Sequence, residues 1–307
     1  MTRRISRDRA TLKLEFNPRY APVAHVEIGE TVVFETANNF ALYREMNSED
    51  DLVSYLPLIQ LNPCTGPLYV QDAAPGDTLI VEVGDIRVVE KGHICLMPKI
   101  GVLHRYTKTP HTKIARIKDG MTLLNDDLVF PARPMIGTFG TTPAWPVPTI
   151  MPGPHPGNLD DTNVVPGARL HMPVFVPGAL FAVGDVHANQ GDSEVAMGVE
   201  CDAEVTLRFA ELIKGQCRPA AIIETPTRWS IPGDAATLEA AVEIATKAAT
   251  DFIMDRTGVS REEATYLMCA VGDLRISQAA VAGYNVTVRA EIPKDVDRRG
   301  RLRSAWD

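Results

Sequence analysis

A recurring unit in the first two thirds of the chain constrains its fold more than any other feature. Each copy is a glycine-containing polar turn followed by a β-rich run, seen clearly at residues 29–35 and 75–83 and more weakly at residues 166–171. In the second copy Leu79 and Val81 share one face, which is the period of two that a half-buried strand shows. Because the spacing between copies is irregular, we predict a β-sandwich and not a solenoid.

Proline content supports the same conclusion. The chain has 23 prolines, many of them before residue 215, and they interrupt any long helical pattern in that region. Residues 20–215 therefore read mostly as strands, with residues 204–209 as another clear alternating run. We predict a mainly β, sandwich-like body over residues 1–215, which carries the functional loops.

The pattern changes near residue 235, where a helical period replaces the alternation. Between Thr237 and Arg256 one stripe is apolar at helical spacing, with Thr237 as the N-cap and Gly258 as the stop. Residues 260–263 then have the S-x-x-E form of a capping box, which opens a second helix that ends at Gly272. The members of the apolar stripe are Leu238, Val242, Ala245, Ala249, Phe252 and Ile253.

The last part of the chain returns to an alternating strand at residues 284–292. The tail from Lys294 is charged, so we expect it to be solvated or loosely docked. We therefore predict a C-terminal α+β part, residues 216–307, that contains two helices. No Ser/Gly-rich linker precedes it, so we expect it to be intertwined with residues 1–215 as one structural unit.

Charge and cysteine usage exclude several classes of partner. The formal net charge is -8, which disfavours nucleic acid and anionic membranes because both reward basic patches. The five cysteines are scattered and form no C-x-x-C pair, as expected for reduced thiols in the cytosol. No apolar segment follows the basic N-terminus, and no run approaches the roughly 18 apolar residues of a membrane span. We predict a cytoplasmic protein that binds neither nucleic acid nor membrane.

Side chains with ligand chemistry concentrate in one window, residues 153–200. A glycine- and proline-rich loop at residues 153–161 carries one imidazole, one amide and two carboxylates. An apolar strand then runs into Gly184 and delivers Asp185 and His187, which sit two apart and point the same way if the strand continues. A polar turn follows, with Gln190, Asp192 and Glu194.

This combination suits a divalent metal ion. Imidazole and carboxylate ligands at roughly 2.0–2.2 Å favour zinc, and a carboxylate-rich set also suits calcium. A bound ion lowers the pKa of water toward about 7 and polarises a carbonyl oxygen, and amide hydrolysis needs both effects. Glu194 is then the candidate general base and acid. On spacing alone, an acidic surface turn or an ordinary hairpin explains the same residues, so both interpretations stay open at this point.

Longer motifs extend the pattern over most of the chain. They are residues 61–70 with 74–79, residues 134–140, the H-P-G-N-L-D loop at 155–160, and G-D-V-H-A-N-Q-G-D-S-E at 184–194. Together they resemble the acetamidase/formamidase family. The first segments are similar to its N-terminal signature, the loop to its H-G-G-N-x-D motif, and the last segment to its G-D-x-H-A-x-x-G-D-G-E motif.

The resemblance implies a β-rich, sandwich-like fold, an associated metal ion and an oligomer, for which we expect a homodimer or a dimer of dimers. It also implies hydrolysis of short linear amides, such as formamide and acetamide, to carboxylate and ammonia. We predict that Glu194, Asp192 and His155 are catalytic, that Asp160, Asp185, His187 and Glu194 hold the metal ion, and that Asn158 and Gln190 bind substrate.

Some positions depart from the family pattern. Pro156 replaces the first glycine of the loop motif, which removes an N–H and fixes φ. Ser193 replaces the glycine before Glu194, where a positive φ would be less comfortable. Asn38-Asn39 lies where many members carry an aspartate, so a charge is missing if that position supplies a ligand. These departures leave the substrate range open more than the fold.

Other functions stay open on the sequence. One is hydrolysis of a related carboxyamide or carbamoyl compound in nitrogen metabolism. Another is a metal- or sugar-binding β-module without turnover, which would explain the acidic loops but not the convergence of so many ligand-type residues. A covalent route through Cys64 is a further alternative, and it would need a partner base and a depressed pKa.

Overall fold

The computed structural model describes residues 2–54, 60–280 and 285–303. Strands make up most of the regular structure. In chain order they are β1 (Arg3–Ile5), β2 (Leu12–Lys13), β3 (Glu15–Phe16), β4 (Ala24–Val26), β5 (Thr31–Thr36), β6 (Cys64–Val70), β7 (Thr78–Val88), β8 (Lys91–Leu96), β9 (His111–Lys118), β10 (Met121–Leu123), β11 (Val129–Pro131), β12 (Met135–Gly140), β13 (Val147–Pro148), β14 (Pro156–Asn158), β15 (Arg169–Pro173), β16 (Phe181–His187), β17 (Glu200–Cys201), β18 (Ala203–Ile213), β19 (Ile222–Glu224), β20 (Arg228–Ala235), β21 (Asp273–Gln278) and β22 (Val286–Pro293).

Two large sheets pack face to face. Within the described ranges, one sheet has the order β1-β5-β18-β7-β15-β19-β20-β22-β21, and the other runs β11-β10-β9-β8-β17-β16-β12-β14 with β2, β4 and β6 attached beside β16. Phe181 of the second sheet lies against Phe34 and Phe209 of the first, with ring centroids 6.0 and 5.4 Å apart. The predicted sandwich-like, mainly β body is confirmed.

The three recurring turn-and-strand units lie in the first sheet, together with the separate alternating run at 204–209. The predicted runs at 31–35, 78–83 and 204–209 fall within β5, β7 and β18, which pair in the order β5-β18-β7. The weaker copy is β15, which pairs with β7 on its other edge. Gly29 and Gly76, in the turns before β5 and β7, have φ of 99° and 96°, values that glycine adopts without steric cost.

Two helices follow in the C-terminal part, as predicted. Helix α1 spans Leu238–Thr257, and its N-cap Thr237 accepts a hydrogen bond from the Ala240 N–H. Its C-cap is Gly258, in the left-handed conformation with φ 71°. Helix α2 spans Arg261–Val271 and begins with the predicted capping box.

The buried face of α1 differs in part from the predicted stripe. Leu238 is exposed and Val242 is only half-buried. A Cβ at Gly233 of β20 would overlap the backbone of Ala245, so the helix lies too close to the sheet for large side chains at the contact. Four members of the predicted stripe are buried, and the full buried set is Ala241, Ala245, Ala249, Thr250, Phe252, Ile253 and Thr257.

The C-terminal strands extend the first sheet, because β15 pairs with β19 and carries the ladder across residue 215. The predicted last strand is β22, and Tyr284 lies outside the described residues. The tail through residue 303 is docked and not solvated, since Leu302 is fully buried and the Lys294 ammonium donates to Glu224 at 2.7 Å. Among the described helices, none is long and apolar enough to cross a membrane.

Candidate active site

Strand β16 carries the centre of the site. It pairs with β12 along one edge, and along the other it pairs first with β6 through Gly184 and then with β17 from Val186. Asp185 lies where the partner changes and has a left-handed φ of 55°, a strained conformation that concentrates at functional sites in proteins. Asp185 and His187 face the same space, with Oδ1 and Nε2 3.6 Å apart.

Five side chains from three segments converge there. The ligand atoms of Asp160, Asp185 and His187 lie within 4.8 Å of one another, and so do those of His187, Glu194 and Glu200. We call these five residues the acidic cluster. All are buried, and the most exposed, Glu194, has 8% of its surface accessible. The structure therefore brings together the four residues predicted to ligate a metal ion.

The acidic cluster contains polar atoms that nothing in the described chain satisfies. Asp160 Oδ1, Asp185 Oδ1, His187 Nε2 and Glu200 Oε2 are buried without a hydrogen-bond partner among the described residues. None of the described residues that line the adjoining cavity is Lys or Arg. Buried carboxylates without partners are costly, and a divalent cation is the group whose chemistry matches these donors. The residues present thus fit a metal ion.

The electrostatics agree with four acids sharing a small volume. Burial and the charge of Asp185 raise the pKa of Asp160 to about 7. Burial raises the pKa of Glu200 to about 8 although His187 opposes it, and burial with the charge of Asp160 raises the pKa of Glu194 well above its usual range. Burial favours neutral His187, but Glu200 and Asp185 outweigh it and raise its pKa well above the ordinary value. Such perturbation is typical of functional sites.

Two polar side chains fix the orientation of Asp185. Asn62 donates to Asp185 Oδ2 at 2.7 Å and to Asn158 Oδ1 at 2.8 Å. The Thr138 hydroxyl lies 3.1 Å from Asp185 Oδ2 and 2.6 Å from Asn158 Oδ1. The other oxygen of Asp185 therefore faces the acidic cluster. The sequence motifs include Asn62 and Thr138, but their residue types alone do not indicate this role.

Glu200 is a member of the acidic cluster that sequence reasoning missed. It lies on β17, directly opposite His187 in the register of β16, and only that pairing brings it to the site. A charged residue between Val199 and Cys201, both buried, was the available signal. A carboxylate in a buried apolar strand is rare unless it has a partner.

Two residues predicted to be catalytic do not join the acidic cluster. The Asp192 carboxylate forms a salt bridge with Arg289 at 2.9 Å and is 31% exposed. His155 packs edge-on against Phe16 with ring centroids 5.0 Å apart, and burial lowers its pKa to about 4. Neither is among the described residues that line the cavity. Within the loop motif, Asn158 and Asp160 line the cavity, whereas the His155 side chain is buried in the core.

The two residues predicted to bind substrate also separate. Asn158 lines the cavity. Gln190 is not among the described cavity-lining residues, and its side chain contacts His187 and two backbone carbonyls instead.

Four of the five members of the acidic cluster, all but His187, line a small cavity of about 60 Å³. That volume holds on the order of four water-sized groups. Much of the remaining wall is apolar, and amide side chains complete it. The apolar lining includes Leu61, Met97, Ile100, Ile150, Met151 and Met197, and the amides are Asn39, Asn62, Asn158, Gln278 and Asn285. The shape suits a very small ligand with one polar end.

Two departures from the family motifs have visible consequences. Ser193 has φ 85° and Glu194 has φ 35°, so the turn does require the left-handed backbone that glycine would adopt more easily. Asn39 lines the cavity, and its Oδ1 lies 3.1 Å from His93 Nε2, so an uncharged side chain occupies that part of the wall.

The covalent alternative finds no support in the geometry. Cys64 is fully buried and is not among the described residues of the cavity wall. Burial, together with the charge of Asp185, raises the pKa of its thiol well above the ordinary value. A nucleophilic cysteine needs the opposite shift.

Comparisons with known proteins give matches over most of the chain. The family model described as the Acetamidase/Formamidase family matches residues 1–148 and 145–298. The chain is similar to an acetamidase from Bacillus halodurans, with 35% sequence identity, 94% of this chain and 97% of that chain covered, and a TM-score of 0.88. A recombinant predicted acetamidase/formamidase from the thermophile Thermoanaerobacter tengcongensis is 32% identical, with 99% of both chains covered and a TM-score of 0.91. The acetamidase of Mycolicibacterium smegmatis is 34% identical over 80 residues, 25% of this chain, and the matched stretch spans 20% of that relative's length.

Proposed function

The chain belongs to the acetamidase/formamidase family, and from this premise we propose that it hydrolyses the C–N bond of a short linear amide to a carboxylate and ammonia. The observation that carries the proposal is the position of the acidic cluster. Its unpaired ligand atoms are buried beside a cavity of about 60 Å³, which suits a small substrate.

We propose that Asp160, Asp185 and His187, together with Glu200, hold a divalent metal ion. One imidazole among carboxylates favours zinc, and calcium is the alternative for a set this rich in oxygen. When bound, such an ion activates water and polarises a carbonyl oxygen.

Glu194 is suited to move the proton. It borders both the acidic cluster and the cavity, and the Gly198 N–H donates to its Oε1 at 3.2 Å, which holds one carboxylate oxygen in place. A carboxylate there can accept a proton from the attacking water and deliver it to the leaving nitrogen. The amide nitrogen leaves only when protonated, so both transfers are needed.

The cavity wall is suited to bind the rest of the amide. Its amide side chains, Asn39, Gln278 and Asn285 among them, offer donors and acceptors for a carbonyl and an NH₂ group. The methionine- and isoleucine-lined side can take a short acyl chain.

The proposal is tested by ammonia release from formamide, acetamide, propionamide and butyramide, with a carbamoyl compound as the comparison. We expect turnover of the shortest amides and a fall with each added methylene, because the cavity wall is close-packed. Ammonia release from the carbamoyl compound alone would show that the substrate is a carbamoyl compound and not a short linear amide. Absence of release from every compound would contradict catalysis.

We also propose that the chain forms a homodimer or a dimer of dimers. Soluble enzymes favour closed symmetric oligomers. Val102, Leu103 and Tyr106 are exposed on one loop and add an apolar surface. Light scattering that gives 33.5 kDa, the mass of one chain, at micromolar concentration would contradict this.

A further inference from the structure

Gln190 lies in the turn after β16, and its side chain joins three segments of the molecule. Its Oε1 is 2.8 Å from Nδ1 of His187. Its Nε2 donates to the backbone carbonyl of Asp160 at 2.8 Å and to that of Ser277, on β21, at 3.2 Å. One amide therefore contacts the ring of one member of the acidic cluster, the backbone of another member, and strand β21 of the first sheet.

The chemistry of these partners fixes which way the amide points. Backbone carbonyls only accept hydrogen bonds, so the NH₂ end of Gln190 must face Asp160 and Ser277. The reversed orientation would set the amide oxygen against two carbonyl oxygens. The oxygen that remains can only accept, so Nδ1 of His187 must carry a hydrogen.

That assignment decides which nitrogen of His187 serves the acidic cluster. In the neutral ring with hydrogen on Nδ1, the lone pair lies on Nε2. Nε2 is the atom that faces the carboxylates, 3.1 Å from Glu200 Oε1 and 3.6 Å from Asp185 Oδ1. The lone pair therefore points to where a cation would be held.

The position of the ring is restricted from another side as well. A Cβ at Gly198 would overlap Nδ1 of His187, so the ring lies directly against the backbone there. The His187 ring therefore has little room to turn, and its hydrogen bond with Gln190 acts on a ring that is already restricted.

We propose that Gln190 is a positioning residue: it holds His187 as the tautomer with hydrogen on Nδ1 and aims the Nε2 lone pair at a divalent cation in the acidic cluster. This inference rests on the proposed function, because it takes the cation site as its object. It replaces the predicted role of Gln190 in substrate binding.

The test compares Gln190→Met, which keeps the length of the side chain without its hydrogen bonds, with Gln190→Glu, which keeps an acceptor for Nδ1. The matched control is Gln71→Met, because Gln71 also contacts a histidine ring, His25 at 3.2 Å, but on the surface. Zinc affinity is measured on the chelator-stripped full chain by competition with a chromophoric chelator. The protonated ring nitrogen of His187 in the zinc-loaded protein is identified by ¹⁵N NMR, assigned with His187→Asn.

We expect Gln190→Met to lower zinc affinity about 10- to 100-fold, the usual effect of removing a partner of a metal-bound histidine. Gln190→Glu should lose less and keep hydrogen on Nδ1, and Gln71→Met should match wild type. Zinc affinity of Gln190→Met within about threefold of wild type would overturn the inference, because it lies below the effect expected of such a partner. If the methionine variant does not fold, loss of the Nδ1 hydrogen in Gln190→Glu would overturn it instead.

The outcomes separate this inference from the proposed function. If wild type binds zinc and Gln190→Met binds it equally well, Gln190 has no positioning role, and the proposed hydrolase activity is not affected. If wild type binds zinc but hydrolyses no amide, and Gln190→Met binds zinc more weakly, the positioning role of Gln190 stands and the proposed hydrolase activity is wrong. Wild type that binds neither zinc nor calcium overturns the cation site and the role of Gln190 together.

Discussion

Asp160 and Asp161 are neighbours in sequence, yet they belong to two buried groups of opposite character. Asp160 lies in the acidic cluster, where four carboxylates surround one histidine. Asp161 lies in a second group, which we call the arginine cluster, made of Asp161, Asp192, Arg289 and Glu291. Each group takes one aspartate from the loop after β14, but Arg289 and Glu291 of the second group lie on β22.

The arginine cluster satisfies its own charges. Arg289 lies 2.7 Å from Glu291, 2.9 Å from Asp192 and 3.4 Å from Asp161. Asp161 also accepts hydrogen bonds from the Ser230 hydroxyl at 2.6 Å and from the backbone N–H of Asn163 at 2.8 Å. None of its side-chain atoms is among the unpaired buried atoms of the described chain.

The comparison shows that residue type does not separate a structural acid from a ligand. Both groups contain buried carboxylates, although Asp192 of the arginine cluster is 31% exposed. They differ in the supply of positive charge. Arginines provide it in the second group, with Arg289 buried and Arg228 and Arg275 at the edge. At the first group no described lysine or arginine lines the cavity, and His187 is the basic side chain. A buried acid that the protein leaves unpaired implies a partner from outside the chain.

The largest effect should come from Glu194, the member of the acidic cluster that borders the cavity. Glu194→Gln keeps shape and hydrogen-bond reach but cannot take up the proton, so turnover should fall about 10²–10⁴-fold while the fold survives. Ammonia release with metal content determined on the same sample measures this. Glu27→Gln, at an exposed position, is the control, and turnover of Glu194→Gln near that of the control would remove the proton-transfer role.

In the arginine cluster the largest change should be in stability. Arg289→Met removes the buried cation that Asp161, Asp192 and Glu291 share, so the free energy of unfolding should fall by roughly 3–5 kcal/mol. Arg275→Met is the matched control, because Arg275 pairs with Asp192 and Glu291 from an exposed position, and it should cost less than about 1 kcal/mol. Urea unfolding measures both. Equal costs for the two variants would show that burial of the pair does not matter.

Gly137 lies against two carboxylates of the acidic cluster, so a substitution there tests whether their positions matter for metal binding. A Cβ there would overlap Asp160 Oδ1 and lie 2.8 Å from Asp185 Oδ2, so Gly137→Ala should push two ligands apart. We expect zinc affinity to fall about 10- to 100-fold. Gly191→Ala is the control, because its Cβ would meet nothing within 4 Å. Unchanged affinity in Gly137→Ala would mean that these carboxylates do not hold the ion.

The smallest effect should come from Glu200 in the metal-free protein. Glu200→Gln removes one of four clustered carboxylates that repel one another, but it also removes a partner of His187, whose Nε2 lies 3.1 Å from Glu200 Oε1. The two effects oppose each other, so the free energy of unfolding should change by less than about 1 kcal/mol. Thermal unfolding of the chelator-stripped protein measures this, and zinc affinity of the same variant should fall. A loss of stability as large as that of Arg289→Met would place Glu200 with the structural acids.

Local features of the fold could be predicted because their causes lie within a few residues. The caps Thr237, Gly258 and Ser260 act on backbone groups of the adjacent turn. The glycine turns before β5 and β7 likewise set where those strands begin. Leu238 was misplaced because the close approach of α1 at Gly233 is a tertiary contact.

The site could be predicted only in part for the same reason. Asp185 and His187 share one strand, so their convergence follows from the sequence pattern. Glu200 reaches the site because β17 pairs with β16 in a register that sets it opposite His187. Asp192 forms a salt bridge with Arg289, which is 97 residues away in sequence. Long-range pairing decides which acids are satisfied, and a sequence motif does not contain that information.

The most direct test of the central claim is the metal content of the purified chain together with its dependence on His187. Wild type should carry a tightly bound divalent ion, His187→Ala should retain far less of it, and stripping wild type with a chelator should abolish ammonia release until zinc is restored. Full ammonia release from chelator-stripped wild type that contains no metal would contradict the assignment of the acidic cluster as the catalytic cation site.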